Sequence, residues 1–404
     1  MRLALVTRRY PPLIGGAEKI LSYLAAALAA EGAEVTVLTS RMPGLGLPAR
    51  EEVPVEAGAG RGKSPRGRLT VERLSTSRLR FWGTWLYMRN LGRWFDRNPV
   101  DLAYVSMLKH DAFVAVEAGR RLGFPVVLRP EGAGATGDIA WQSWGRFGRK
   151  IGRRCRDASA FVAISKAIEA ELNDAWVNGT MRAAEASRRS AGGPRIVSIP
   201  NGVPVPSVPW QRRPDWRVSP RAAFVGRLAP EKGLDTLIDA WPAVRAAHPG
   251  ARLTLIGEGP ERPALEARAR NLGLTLGPGQ AVELPGIAAD PVAALRDADL
   301  FVLPSREEGM SIALLEAMAL GIPLVASSIA GNRRIVGDFK HGRLAPPDDP
   351  GGLARVIIEQ WTSFDRAFHM SRAARGRVEQ EFSIRSVARR HIELFSNLIG
   401  SGRR

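Results

Sequence analysis

Cysteine is almost absent from the 404 residues: Cys155 stands alone. That excludes an internal disulfide and leaves no thiolate cluster for zinc. The five histidines fall at no metal-ligand spacing, so no metal is expected. No apolar run approaches the roughly 20 residues of a membrane-spanning helix. The opening MRLALVTRRYPP holds four apolar residues between charges, which reads as a strand rather than a signal peptide. A cytoplasmic location is the expectation. Acidic residues are under-represented: 40 against 58 basic ones, net +18. A field of that sign attracts nucleotides, anionic lipid surfaces and nucleic acid without choosing among them. No helix-turn-helix, RNA-recognition or zinc module is present, so nucleic acid is not an expected partner.

What is present is a repeated alternation of short apolar runs and amphipathic segments. The length predicts two domains. The α/β pattern runs to IPNG at 199–202, stops in a proline-rich stretch at 203–220, then restarts. Expected boundaries are therefore 1–202 and 221–382 with 203–220 as linker. In the first half, Gly15-Gly16 sits between a strand and an amphipathic helix, where close backbone approach to a ligand and a simple tight turn are equally good readings. Residues 41–68 read as a surface loop. Within it GAGRGKS (58–64) imitates a phosphate-binding loop, but Ala57 stands at the first glycine position and Pro65 interrupts the helix that should follow. Residues 78–97 and 144–156 mix aromatic and basic side chains. Each is either a helix lying on an anionic membrane or an ordinary amphipathic or solvated helix.

Two stretches of the second half carry chemistry. In 304–326, PSREEGMSIALLEAMALGIPLVA, a loop links the apolar run Leu300–Leu303 to a helix from Ile312 to Leu320, which Gly321 and Pro323 end. Such loops lie at the carboxyl ends of strands, where open α/β sheets bind ligands. Glu308 precedes the helix and Glu316 lies within it, roughly 9 Å from its start. That spacing suits a long polar ligand with a phosphate between hydroxyl-rich ends; local capping and solvation are the alternative. The second stretch is Gly226-Arg227-Leu228-Ala229-Pro230-Glu231-Lys232-Gly233. Its Arg and Lys, before a helix, can neutralise a leaving diphosphate without a metal.

These two stretches resemble the family 4 retaining glycosyltransferases of GT-B fold. YPPLIGGAEK (10–19), FVAISKAI (161–168), IPNGV (199–203) and LAPPDDPGGLARVI (344–357) extend the likeness over nearly the whole chain. The resemblance implies two Rossmann-like doubly wound domains facing a cleft, with a helix at 383–404 crossing back to the N-terminal domain. It implies a nucleoside-diphosphate sugar donor and a hydroxyl acceptor, carbohydrate or lipid-linked, in envelope or exopolysaccharide synthesis. Retention without a metal or other cofactor is implied too; separately, the positive charge and the aromatic-basic segments suit a peripheral enzyme on an anionic membrane surface. By position, Arg227 and Lys232 would hold the diphosphate. Glu308 would bond the donor sugar, and the N–H groups of Gly309, Met310 and Ser311 would meet phosphate or sugar. Glu316 would take the ribose. Gly15, Gly16 and Gly226 would approach the diphosphate.

Two positions depart from the family pattern. Arg129-Pro130-Glu131-Gly132 replaces a stretch that often carries a histidine, which puts Glu131 in its role, with His110 a lesser candidate. Arg333-Arg334 replaces a frequent Pro-Glu pair. Two other classes stay open at this point: a non-catalytic basic polyanion binder, and a GT-B phosphorylase or epimerase.

Overall fold

The computed structural model describes residues 1–12, 15–42, 44, 46–55, 67–78, 80–135, 137–175, 194–337 and 339–401. The chain divides into two compact units, Met1–Gly202 with Ile384–Arg404, and Val203–Ser383. The motif-like 58–64 lies outside the described residues.

The first unit is built on eight described strands: β1 (Arg2–Val6), β2 (Glu34–Ser40), β3 (Arg50–Val53), β4 (Arg68–Leu74), β5 (Leu102–Ser106), β6 (Val126–Arg129), β7 (Ala160–Ala163) and β8 (Arg195–Ser198). Their order is β3-β4-β2-β1-β5-β6-β7-β8, parallel except for β3. The central strands are continuous apolar runs because helices cover both faces. Residues 41–68, read above as loop, thus contain a strand: Arg50–Val53 pairs antiparallel with β4 at the sheet edge. Its charged Arg-Glu-Glu sequence hid it, since an exposed edge strand needs no apolar face.

The second unit carries β9 (Arg221–Val225), β10 (Arg252–Ile256), β11 (Val282–Gly286), β12 (Leu300–Leu303), β13 (Leu324–Ser327) and β14 (Arg343–Ala345). Their order, β11-β10-β9-β12-β13-β14, is all-parallel. The direction of winding reverses between β9 and β12, so the loops leaving those two strands open at the switch point where such sheets bind ligands. The proline-rich 203–220 is packed into this unit: Trp210 is buried and donates its indole N–H to Ala298 O at 2.7 Å.

Two aromatic segments resolve into mixed structures. The helix Arg80–Arg97 buries Tyr87, Leu91 and Phe95, spaced by four, in the core, while Trp82 and Trp85 are 57% and 46% exposed. Residues 144–156 are not one helix: Asp138–Trp144 and Gly148–Cys155 meet at a left-handed Phe147, φ 62°.

The last helix, Ile384–Ser401, packs within the first unit beside Gly16–Ala30. It buries His391, whose Nδ1–H donates to Val387 O at 2.8 Å while Nε2 faces the Tyr104 hydroxyl at 3.2 Å. Burial outweighs the Val387 bond and lowers the imidazole from 6.5 to about 4. The folded state therefore resists protonation that the unfolded chain accepts. Stability is complete above the unfolded value near 6.5 and declines as pH falls toward 4, by about 3 kcal/mol at most. His391→Phe should flatten that part of the pH profile in denaturant titrations; an unchanged slope between pH 6.5 and 4 refutes the assignment.

Candidate active site

The switch point of the second sheet collects the predicted residues. The 226–233 loop leaves β9 and the 304–311 loop leaves β12. Lys232 Nζ lies 2.7 Å from Glu308 Oε1, with only 21% and 10% of their side chains exposed. Ser305 Oγ donates to the same oxygen at 2.8 Å. Glu308 is therefore not a solvated loop carboxylate but a held one. Arg227 is exposed and has no partner among the described residues, which leaves its guanidinium available. Gly233 caps the short helical turn Pro230–Lys232 in the left-handed region, φ 60°, and a Cβ there would strike Pro304 O. The two loops can touch only because that residue is glycine.

Ser311 caps the helix Ile312–Leu320, its hydroxyl accepting from Leu314 N at 3.4 Å. The first turn keeps free N–H groups beside Gly309 and Met310, an anion-favouring end. Glu316 is 3% exposed on that helix. Behind the loop, the Ser327 hydroxyl donates to Ser305 O and Asn332 Nδ2 donates to Ser327 O at 3.0 Å, fixing the floor. The site thus has two cations, a held carboxylate, a helix N-terminus and a buried second carboxylate gathered by the loops at the carboxyl ends of β9 and β12.

Sequence reasoning missed the loop after β10. Leu228 N donates to Glu258 O and Glu261 N to Leu228 O, each at 3.0 Å, so Gly257-Glu258-Gly259 backs the Arg227 loop. Gly257 has φ 145°, and a Cβ there would collide with Gly226 O. The signal was legible as a Gly-x-Gly directly after an apolar strand.

In the first unit, Gly15 and Gly16 open the helix Gly16–Ala30. The Glu18 carboxylate lies over Gly15 and pairs with Arg9 at 3.0 Å, so the helix end already faces a negative group. Glu131 follows β6. One of its oxygens accepts from both Ser106 Oγ and Arg129 Nη1, and Arg129 Nη2 reaches Asn201 Oδ1 at 2.6 Å. Burial raises the Glu131 carboxyl, opposed by Arg129 and Ser106. His110 begins the helix His110–Leu122, edge-on to Trp141 at 5.7 Å between ring centres; burial, then Arg8 and Lys109, lower its pKa. Cys155 is buried, and desolvation pushes its thiol up to about 12. Among the described residues, no cluster of His, Cys, Asp or Glu could hold a metal ion.

Comparison with known proteins agrees with this architecture. Residues 219–363 match the family described as glycosyl transferases group 1, and residues 15–184 match the glycosyl transferase 4-like domain. A glycogen synthase of Mycobacterium tuberculosis is 29% identical over 427 residues, covering 96% of this chain and 92% of that one. The solved sucrose-phosphate synthase of Thermosynechococcus elongatus superposes with a TM-score of 0.75 at 21% identity, over 99% of both chains. The Anabaena protein HepE, solved with UDP and glucose, gives 0.71 at 19% identity over 98% of this chain and 99% of that one. With the two family matches taking in most of the chain, and two parallel-sheet Rossmann-like units beneath them, this protein belongs to the group 1 glycosyltransferases of GT-B fold.

Proposed function

We propose that the protein moves a sugar from a nucleoside-diphosphate donor to a hydroxyl acceptor with retention of anomeric configuration. The observation that carries this reading is the Lys232–Glu308 pair at the β9–β12 switch point, beside an uncommitted Arg227. Lys232 and Arg227 hold the diphosphate and stabilise the charge that develops as the C1–O bond breaks. The diphosphate departs with the bonding electron pair, the acceptor oxygen bonds C1 from the same face, and the acceptor proton passes to the leaving phosphate. Glu308 bonds the sugar hydroxyls. The N–H groups of Gly309, Met310 and Ser311 meet the donor at the helix end, and Glu316 takes the ribose. Two side-chain cations supply the charge a metal would otherwise bring. Gly226 lets the β9 loop lie close to the diphosphate. Within the first unit, Gly15, Gly16 and Glu131 are assigned to substrate binding. UDP-, GDP- and ADP-sugars should be screened by thermal shift, since a ligand at 100 times its Kd adds about 2.7 kcal/mol. Turnover with EDTA present and an NMR assignment of the product anomer test the chemistry. Inversion, or strict dependence on a divalent ion, contradicts the reading.

The acceptor is assigned to an anionic membrane surface, as in assembly of a lipid-linked envelope glycan. Support comes from exposed Trp82, Trp85, Trp144 and Phe147 on a protein of net charge +18. Among the described residues no helix is long and apolar enough to cross a membrane. Vesicles rich in anionic lipid should carry the protein upward in a flotation gradient, and Trp82→Ser with Trp144→Ser should weaken binding about tenfold or more. Protein remaining wholly at the bottom of the gradient rules this seat out.

A further inference from the structure

We propose that Arg306 is a positioning residue that sets Lys232 against Glu308 by tying three loops together, an inference that rests on the donor-site reading above. Arg306 follows β12 by three positions, two residues before Glu308. Its main-chain N–H donates to Glu231 O at 2.8 Å, which fixes the turn bearing Lys232. Its guanidinium then spreads in three directions. Nη1 donates to Pro230 O at 2.7 Å, Nη2 to Asp235 Oδ2 at 2.8 Å, and Nε to Asp348 Oδ1 at 2.6 Å. Pro230 lies in the loop after β9, Asp235 opens the helix Leu234–Ala247, and Asp348 belongs to the loop after β14. All three lie at the carboxyl ends of the strands of the second sheet.

The geometry of the guanidinium explains why this residue is an arginine. Its donors form a rigid planar fork, whereas an ammonium is a compact point charge that cannot hold three fixed directions. Asp348 stands in the left-handed region, φ 53°, without being glycine. Such a conformation is costly and persists where the surroundings hold it, and the Arg306 bond is such a restraint. Arg306 is itself half-buried, and its bonds to Pro230, Asp235 and Asp348, with a longer one to Thr236 Oγ1 at 3.5 Å, leave it committed to the protein. It acts on the reaction only through where it puts Lys232.

A residue that works through Lys232 has a specific signature. Arg306→Ala should lower kcat about 100-fold while changing KM less than threefold, because the misplaced cation matters most when the leaving diphosphate gains charge. Arg306→Lys should recover part of that loss, since it keeps the charge and one bond. The decisive measurement is a double-mutant cycle with Lys232→Ala, following release of UDP, GDP or ADP from UDP-glucose, GDP-mannose or ADP-glucose. The double variant should be no more than threefold slower than Lys232→Ala alone. Effects that multiply in the cycle, or an Arg306→Ala enzyme with unchanged kcat, overturn the inference while leaving the donor site intact. If Arg306→Ala does not fold by circular dichroism, Arg306→Lys carries the same cycle. Wild-type protein that releases no nucleotide from any of the three donors refutes the underlying reading instead.

Discussion

Glu308→Ala should slow transfer by about 100-fold or more yet bind a free nucleoside diphosphate more tightly than the wild type. The two halves of that result have one cause. Glu308 holds Lys232 at 2.7 Å, so the two groups meant for different parts of the donor neutralise each other. A diphosphate entering the site must take Lys232 away from Glu308 and then sit near the carboxylate. Removing the carboxylate frees Lys232 and deletes a repulsion worth about 1–4 kcal/mol at contact distances. Affinity for UDP or GDP should rise roughly tenfold, while the lost contact to the sugar lowers turnover by about 100-fold or more. Lys232→Ala should do the reverse to affinity. It leaves a half-buried Glu308 with the Ser305 hydroxyl as its remaining hydrogen-bond partner among the described residues, and both diphosphate binding and transfer should fall at least 100-fold. Calorimetry with UDP and GDP separates the cases. If Glu308→Ala binds them more weakly than wild type, the pair is not a placeholder and the two residues act on the donor independently.

Gly257→Ala carries the second large effect, although its side chain would touch no substrate. The added methyl would collide with Gly226 O, and the residue would be held at φ 145°, which side chains rarely adopt. Gly257 N also donates to Gly286 O at 2.8 Å, so the backbone there is fixed and cannot swing aside freely. The strain should cost about 3 kcal/mol and lower the unfolding midpoint of the second unit by roughly 10 °C. Relief of the clash would push the Arg227 loop away from the end of β9, so transfer should be lost even at temperatures where the variant remains folded. A variant with normal midpoint and normal turnover would show that the Gly226–Gly257 approach is not needed. Circular dichroism melting and nucleotide release read the two quantities separately.

The donor-side loops were legible in the sequence because their logic is local. Leu300–Leu303 is an uninterrupted apolar run, Ser311 is a helix cap, Gly321 stands at the helix end with φ 84°, and Glu308 and Glu316 fall at fixed places between those signals. The same holds for Gly226 to Gly233 between a strand and a helix. The edge strand Arg50–Val53 was not legible, because its residues are charged and a strand with one exposed side needs no apolar run. Phe147 broke a helix that composition alone extended, since a left-handed phenylalanine has no sequence signature.

The sequence by itself determined the two α/β halves, the residues of the donor loops and their order along the chain. Short-range patterning is enough for those, as helix stops, caps and apolar periods act within a few residues. Only the tertiary structure decided that Lys232 and Glu308, 76 positions apart, share a hydrogen bond, and that Arg306 reaches Asp348, 42 positions away. It also decided that His391 closes on Tyr104 across 287 positions. Such pairings depend on strand order, here the reversal between β9 and β12, and strand order follows from the packing of whole helices on a sheet rather than from any residue's neighbours.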